Sequence, residues 1–290
     1  MPFVQLKVER TWFLGILTIG FVGGACFITT FLRTATTARS ICETGGMVAS
    51  PGNSSWAEAQ TEQAQLLEAI LHYATSRLTP QQTAREIQAC IDVLRRLGPA
   101  NFLVFGLGHD SLMWKCFNLH GTTVFLEEDP KFYDSLVGPG GPNTNLTAFV
   151  VRYTTKMSEA AELVQHFREE QDCSAARSFL RGNHRCRLAL SMLPAEVYDR
   201  EWDVILIDGP RGYYMEAPGR MASIYSAAVM ARNRKRPGVT HVFLHDVNRK
   251  VEKVYAELFL CRKYLVSAVG NLWHFEIPPA PSPHLHSNFC

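Results

Sequence analysis

Asn101-Phe-Leu-Val-Phe-Gly-Leu-Gly-His-Asp-Ser111, followed after a short gap by Thr122-Thr-Val-Phe-Leu-Glu-Glu-Asp129, is the stretch that decides the fold. The apolar run 102–105 ends at Gly106 and Gly108, the pattern of a buried strand turning sharply into a helix, here expected from near Asp110 through Leu112, Met113 and Phe117. Roughly twenty residues after the glycines, a second apolar run, 124–126, ends in Glu127, Glu128 and Asp129. That spacing predicts one βαβ unit, with a carboxylate at the second strand end where nucleoside-binding α/β folds engage ribose hydroxyls.

A dinucleotide fingerprint carries a third glycine, which lets helix and sheet pack closely behind a pyrophosphate; His109, Asp110 and Ser111 stand there instead. An acidic residue at a helix start repels phosphate but can pair with an amino group, which suits S-adenosylmethionine, a nucleoside with an amino acid attached. Gly106, Gly108, Asp110, Glu127 and Glu128 are therefore the candidate cofactor-binding residues. Gly-x-Gly by itself fits an ordinary turn equally well, and only the acidic strand end favours the nucleoside.

Working outward, 290 residues with 47% hydrophobic and 19% charged content leave room for one α/β domain and a non-globular N-terminus. A net charge of +2 gives no nucleic-acid footprint, and the basic run 232–236 reads as the solvated end of a helix. The uncharged apolar stretch 12–32 matches the roughly 20 residues that cross a bilayer and exceeds the apolar core of about 7–15 residues in a cleaved signal. It reads as a single-pass membrane anchor. Positive charge is balanced across it, with Lys7 and Arg10 before and Arg33 and Arg39 after, so charge does not settle orientation.

The expected organisation is a tail over 1–11, an anchor over 12–32, a flexible stem over 33–61, a catalytic domain over 62–280 and a C-terminal tail over 281–290. Sequons at Asn53 and Asn145 agree with a lumenal placement. Cys173 and Cys186 bracket a polar segment and can close it as a disulfide in an oxidising compartment. No CxxC or Cys/His metal spacing occurs, so structural zinc is not expected.

Leu66, Leu67, Ile70 and Leu71 recur at helical spacing, and Thr79-Pro-Gln-Gln82 reads as an N-cap, with proline in the first turn, for a second helix through Ile87, Ile91 and Leu94. Beyond the acidic strand end come a strand over 147–153, a helix over 159–167, a buried strand in Trp202-Asp-Val-Ile-Leu-Ile-Asp208, a helix over 219–231 and a strand in Thr240-His-Val-Phe-Leu-His-Asp246. Runs 264–269 and 272–277 flank Gly270-Asn271, which predicts a terminal antiparallel hairpin. Alternating strands and helices imply a mainly parallel sheet covered on both faces, and with the hairpin they match the α/β layout of class I S-adenosylmethionine-dependent methyltransferases.

Ligands of such sheets bind beyond the carboxyl ends of the strands, so Gly106, Gly108, Glu127, Asp208, His245 and Asp246 are expected to converge. Methyl transfer to a hydroxyl needs in-line approach and a base, for which Asp208, His245 and Asp246 are the candidates. The same three side chains can instead hold a divalent metal cation that lowers the hydroxyl pKa, or cap turns and helices structurally. Between the last two parallel strands, Tyr213 and Tyr214 offer rings for sugar stacking, and Arg211 and Arg220 offer forks for a carboxylate.

Longer blocks carry a resemblance. Leu71-His-Tyr-Ala-Thr-Ser-Arg77, the stretch 101–114, the stretch 122–130, Glu201-Trp-Asp203 with Ile207-Asp208, Glu216-Ala-Pro-Gly-Arg-Met221 and the block 241–250 resemble the plant polysaccharide-biosynthesis family of glucuronic acid 4-O-methyltransferases. The resemblance spans about residues 66–277. It implies a type II Golgi membrane enzyme, its catalytic domain lumenal, that methylates O4 of glucuronic acid on a glucuronic-acid-bearing polysaccharide of the cell wall. Leu272-Trp-His-Phe-Glu-Ile-Pro278 and Leu180-Arg-Gly-Asn183 look more like the arabinogalactan-type members. The alternatives it leaves are glucuronoxylan methylation and a non-catalytic role in xylan biosynthesis. Ala100 stands where family members often carry a cysteine, so the resemblance assigns no partner to Cys261.

Overall fold

The computed structural model describes residues 53–78, 80–139, 141, 145–280 and 289–290. The stretch 12–32 lies outside them, and among the described residues no helix is long and apolar enough to cross a membrane.

Seven strands form one sheet: β1 (Asn101–Phe105), β2 (Thr122–Glu127), β3 (Ala148–Val150), β4 (Val204–Ile207), β5 (Thr240–Leu244), β6 (Leu265–Val269) and β7 (Leu272–Ile277). Their order is β3-β2-β1-β4-β5-β7-β6. All pairs from β3 to β5 are parallel, whereas β7 runs antiparallel to both β5 and β6. The predicted hairpin therefore inserts its second strand beside β5 and completes a mostly parallel Rossmann-like sheet. β3 is shorter than the predicted 147–153 because it is an edge strand, paired only through Ala148, Phe149 and Val150.

Successive strand residues enter opposite layers, which is why the parallel strands read as continuous apolar runs. Leu103, Phe105, Ile205, Ile207, Val242 and Leu244 pack on one face, while Phe102, Val104, Val204, Leu206 and Phe243 pack on the other. The first face is covered by the helix Met221–Arg232 together with Phe259 and Phe289. The second is covered by Cys90, Val93 and Leu94 of the helix Ala84–Leu97 and by Trp114. Hereafter α1 is Asn53–Thr75, α2 Ala84–Leu97, α3 Ser111–Cys116 and α4 Pro130–Val137. α1 begins inside the stretch expected as a stem, in a segment rich in the strong helix formers Ala, Glu and Gln.

Two local expectations, for Gln82 and for the basic run 232–236, are corrected. α2 starts at Ala84 and is capped by Thr83, whose side chain accepts from the Glu86 N–H while Glu86 reciprocates, so Gln82 is no capping residue. Asp110 precedes α3 without a side-chain cap bond and accepts from Trp114 Nε1 at 2.9 Å instead. The basic run 232–236 follows a helix end and is only partly solvated: Asn233, Lys235 and Arg236 are exposed, but Arg232 is buried beneath Phe289, and Arg234 and Arg236 pair with Asp203 at 3.0 and 3.1 Å. Cys173 and Cys186 form a disulfide, and Cys261 pairs with Cys290, which holds Phe289 in the core.

Candidate active site

The carboxyl ends of β1, β2 and β4 open into a cavity of about 460 Å³, within the size range of small-molecule sites. Its floor is backbone. Gly106 takes a φ of +114°, and a Cβ on Gly209 would lie 2.7 Å from the Gly106 Cα. Only glycines allow the β1 and β4 ends to approach this closely.

Gly106, Gly108, Asp110, Glu127 and Glu128 all line this cavity, together with His109, Trp114, Phe132 and Asp208. Glu127 Oε2 accepts from the Leu107 N–H at 3.0 Å and Oε1 from the Asp129 N–H at 2.9 Å. Burial and the neighbouring Glu128 charge push its pKa up to about 7. Asp110 is also raised, by burial and then by the charge of Asp208. Two carboxyls that burial drives toward neutrality make a wall that a bound cation would return to its charged form.

At the opposite wall Asp208 is the hub of an ionic chain. Its Oδ1 lies 2.9 Å from His245 Nδ1 and 3.0 Å from Arg220 Nη2, while Oδ2 accepts from Gln82 Nε2 at 2.8 Å. Arg220 reaches Asp246 Oδ2 at 2.8 Å and donates to the His245 carbonyl at 2.7 Å; Asp246 also meets Arg249 at 3.0 Å. On its far side His245 Nε2 faces Glu86 Oε1 at 3.9 Å. Burial works to raise the Asp208 pKa, but the His245 hydrogen bond and the Arg220 charge outweigh it and hold the carboxyl below its ordinary value. Burial similarly works to lower His245, yet its bond to Asp208 and the charges of Asp208 and Asp246 leave it raised. The His245 ring thus sits between carboxylates that favour its protonated form.

The predicted site residues separate into those facing the cavity and those behind it. Asp208, Arg211, Tyr213 and Arg220 line it, whereas His245 and Asp246 stand behind Asp208. Asp246 takes a φ of +62°, a strained backbone for a residue with a side chain. Arg220 is 4% exposed and spends its guanidinium on Asp208, Asp246 and two carbonyls. Arg211 bridges Glu128 at 3.0 Å and Asp129 at 2.6 Å, fastening the β4 loop to the β2 end. Tyr213 is 70% exposed at the rim and meets Tyr214 edge-on.

Sequence reasoning missed Gln82, Glu86, Arg249 and Glu252. Gln82 and Glu86 lie more than a hundred residues from Asp208 and His245, and nothing in local spacing announces them; Arg249 follows the Asp246 turn by three residues, the one local signal available. Among the described residues, Gln82 Oε1, Arg220 Nε and Glu252 Oε2 in this cluster are buried polar atoms without a protein hydrogen-bond partner, whereas Asp246 Oδ2 is held by the charges of Arg220 and Arg249. Unsatisfied polar atoms concentrate where a ligand or reaction uses them. Asp208, His245 and Asp246 also place one donor atom each within 4.8 Å of one another, close enough for a divalent cation, although Arg220 already supplies positive charge between the two carboxylates.

A family model described as IRX15/IRX15L/GXM matches residues 85–275, more than half of the chain. The chain is 52% identical over 273 residues to Arabinogalactan O-methyltransferase 1 of Arabidopsis thaliana, covering 94% of this chain and 93% of that protein. Glucuronoxylan 4-O-methyltransferase 1 of the same plant is 47% identical over 216 residues, 73% of each chain. Protein IRREGULAR XYLEM 15, also from Arabidopsis thaliana, is 37% identical over 291 residues, covering 95% of this chain and 88% of that protein.

Proposed function

This chain belongs to the IRX15/IRX15L/GXM family, and we propose that it is an S-adenosylmethionine-dependent O-methyltransferase acting on O4 of glucuronic acid residues in cell-wall glycans. The sheet order, with one reversed strand beside β5, supports a class I methyltransferase fold. Identity of 52% to an arabinogalactan methyltransferase against 47% to a glucuronoxylan one, over a larger share of the chain, favours arabinogalactan side chains as acceptor.

The observation that carries the reading is the cavity itself: a backbone floor at Gly106 and Gly209, and buried carboxyls Asp110 and Glu127 facing the space. These groups fit a nucleoside that bears positive charge, with Glu127 and Glu128 toward the ribose and Asp110 toward the amino group. When bound, S-adenosylmethionine supplies the methyl group. Asp208, ionised and fixed by Gln82, His245 and Arg220, is the base that receives the acceptor hydroxyl proton. Tyr213 and Tyr214 present rings to the sugar. Arg211 neutralises the β2 carboxylates beside them.

A second reading rests on the Asp208, His245 and Asp246 trio, which would hold a divalent cation that acidifies the hydroxyl. We also place residues 12–32 as a signal anchor in the Golgi membrane with the catalytic domain lumenal; the disulfides and the exposed sequon at Asn145 support an oxidising, glycosylating compartment.

The deciding experiment titrates S-adenosylmethionine into the full chain in mild detergent by calorimetry. It then compares methylation of arabinogalactan and glucuronoxylan oligosaccharides, with and without EDTA. A folded chain that binds no S-adenosylmethionine would overturn the reading, and turnover abolished by EDTA would transfer the role of Asp208 from base to metal ligand.

A further inference from the structure

The antiparallel pair β5/β7 carries a second group of ligating side chains at the end of the sheet remote from the cavity. His241 lies opposite Glu276 in the register, and His274 lies opposite Phe243, so all three polar side chains project from the same face. His241 Nδ1 and His274 Nε2 are 2.9 Å apart, and Glu276 Oε1 is 3.7 Å from His241 Nδ1. His241 precedes His245 by four residues on one strand, roughly 13 Å at about 3.3 Å per residue, which separates this group from Asp208.

We propose that His241, His274 and Glu276 form a structural site for a borderline transition-metal ion such as Zn²⁺, pinning the reversed strand β7 to β5. A tetrahedral ion with bonds of about 2.0–2.1 Å places its ligand atoms about 3.3 Å apart, and the observed 2.9 and 3.7 Å bracket that edge. The three donor atoms all fall within 4.8 Å of one another. Both histidines are 7% exposed and the His274 ring is stacked on Phe243 at 4.2 Å, so two ligands are held rigidly, while the more exposed Glu276 leaves the fourth position to water.

Burial favours the neutral, ligating form of both imidazoles. Burial, then the neighbouring His241 and Arg96, bring the His274 pKa down to about 4, and burial also lowers that of His241, helped by Arg96 and Arg234 and opposed by Glu276. One proton bridges the two facing nitrogens; on metal binding it relocates to the far nitrogen of its own ring, so charge and atoms balance without a further reactant. Arg96 and Arg234 oppose a cation, but Arg234 is paired with Asp203 at 3.0 Å and Glu276 contributes a full negative charge. Imidazole donors select Zn²⁺ or Co²⁺ over Mg²⁺ or Ca²⁺.

The test uses the full chain freed of metal by chelation and then titrated with Co²⁺ and Zn²⁺. One equivalent of Co²⁺ should give a tetrahedral ligand-field spectrum that Mg²⁺ does not displace, and Zn²⁺ at about 100 times its Kd should raise Tm by about 5 °C or more. Supporting ligands around a metal are worth roughly 10–100-fold in affinity, so His274→Gln should weaken Zn²⁺ by more than about 100-fold while S-adenosylmethionine binding persists. If His274→Gln fails to fold, the partly exposed Glu276→Gln decides, with a loss of at least about tenfold. Asp208→Asn should leave the Co²⁺ spectrum unchanged. No saturable binding, binding retained in both His274→Gln and Glu276→Gln, or binding abolished by Asp208→Asn would each overturn the site.

Discussion

Replacing Glu127 with glutamine separates the charge of this carboxyl from its place in the cavity wall. Glu127 is 3% exposed, accepts from two backbone N–H groups, and has its pKa pushed from 4.5 up to about 7. A rise of roughly 2.5 pKa units corresponds to at most about 3 kcal/mol. The folded chain holds a proton that the unfolded chain has released between about pH 4.5 and 7, so Glu127 lowers stability progressively as pH rises through that window. Glutamine removes this cost but turns an amide N–H₂ toward one of the two backbone donors, a loss of about 1–3 kcal/mol at every pH. The variant should therefore be less stable than wild type at pH 5 and close to it at pH 8. Guanidinium denaturation at both pH values measures the change in the difference, expected near 3 kcal/mol. In parallel, wild-type affinity for S-adenosylmethionine should rise with pH from 5.5 to 8, with proton release visible in calorimetry, and the Glu127→Gln profile should be flat. Stability differences that stay constant within about 0.5 kcal/mol between pH 5 and 8 would refute the electrostatic account of this wall.

Asp208→Asn should cut methyl transfer by about 10²–10⁴-fold and, because it strips Arg220 and His245 of their counter-charge, destabilise by roughly 3 kcal/mol; near wild-type turnover would remove Asp208 from the chemistry. Gly209→Ala places a Cβ 2.7 Å from the Gly106 Cα and should weaken S-adenosylmethionine by at least about tenfold in calorimetry, and unchanged affinity would show that the floor is not where the donor sits. The raised pKa of His245 means its stabilisation is full below the unfolded value near 6.5 and fades as pH rises through the folded value, while that of Asp208 is lost only as pH falls through its lowered one. His245→Gln should accordingly cost most Tm near pH 6 and progressively less as pH rises, and a pH-independent cost would contradict the ion pair. Cys261→Ser opens a crosslink across a sequence separation of 29 and should lower stability by about 3–4 kcal/mol in non-reducing denaturation, an outcome that an unchanged midpoint would exclude.

Much of this was legible along the chain because parallel strands announce themselves locally. The runs 102–105, 124–126 and 204–207 are apolar throughout since both sheet faces are covered, and each ends in the glycine or acid that the cavity uses. The turn Gly270-Asn271 between two alternating runs was enough for the hairpin, and the acidic end of β2 for two carboxyls, Glu127 and Glu128, that line the cavity. Which side chains face a ligand and which face one another depends on distances between strands and helices far apart in sequence. Arg211 and Arg220 read as free forks because their partners Glu128, Asp129 and Asp246 come from other strand ends. Gln82 reads as part of a helix cap, and Glu86 carries no signal at all, because nothing in the sequence around the start of α2 shows that it docks behind Asp208 and His245. His241, His274 and Glu276 escape any spacing rule, since only the antiparallel register of β5 with β7 brings them together. Local hydrophobic period and turn chemistry determined the sheet from the sequence alone; the charge pairing that decides which groups are ionised, occupied or open to a ligand exists only once the strand ends meet.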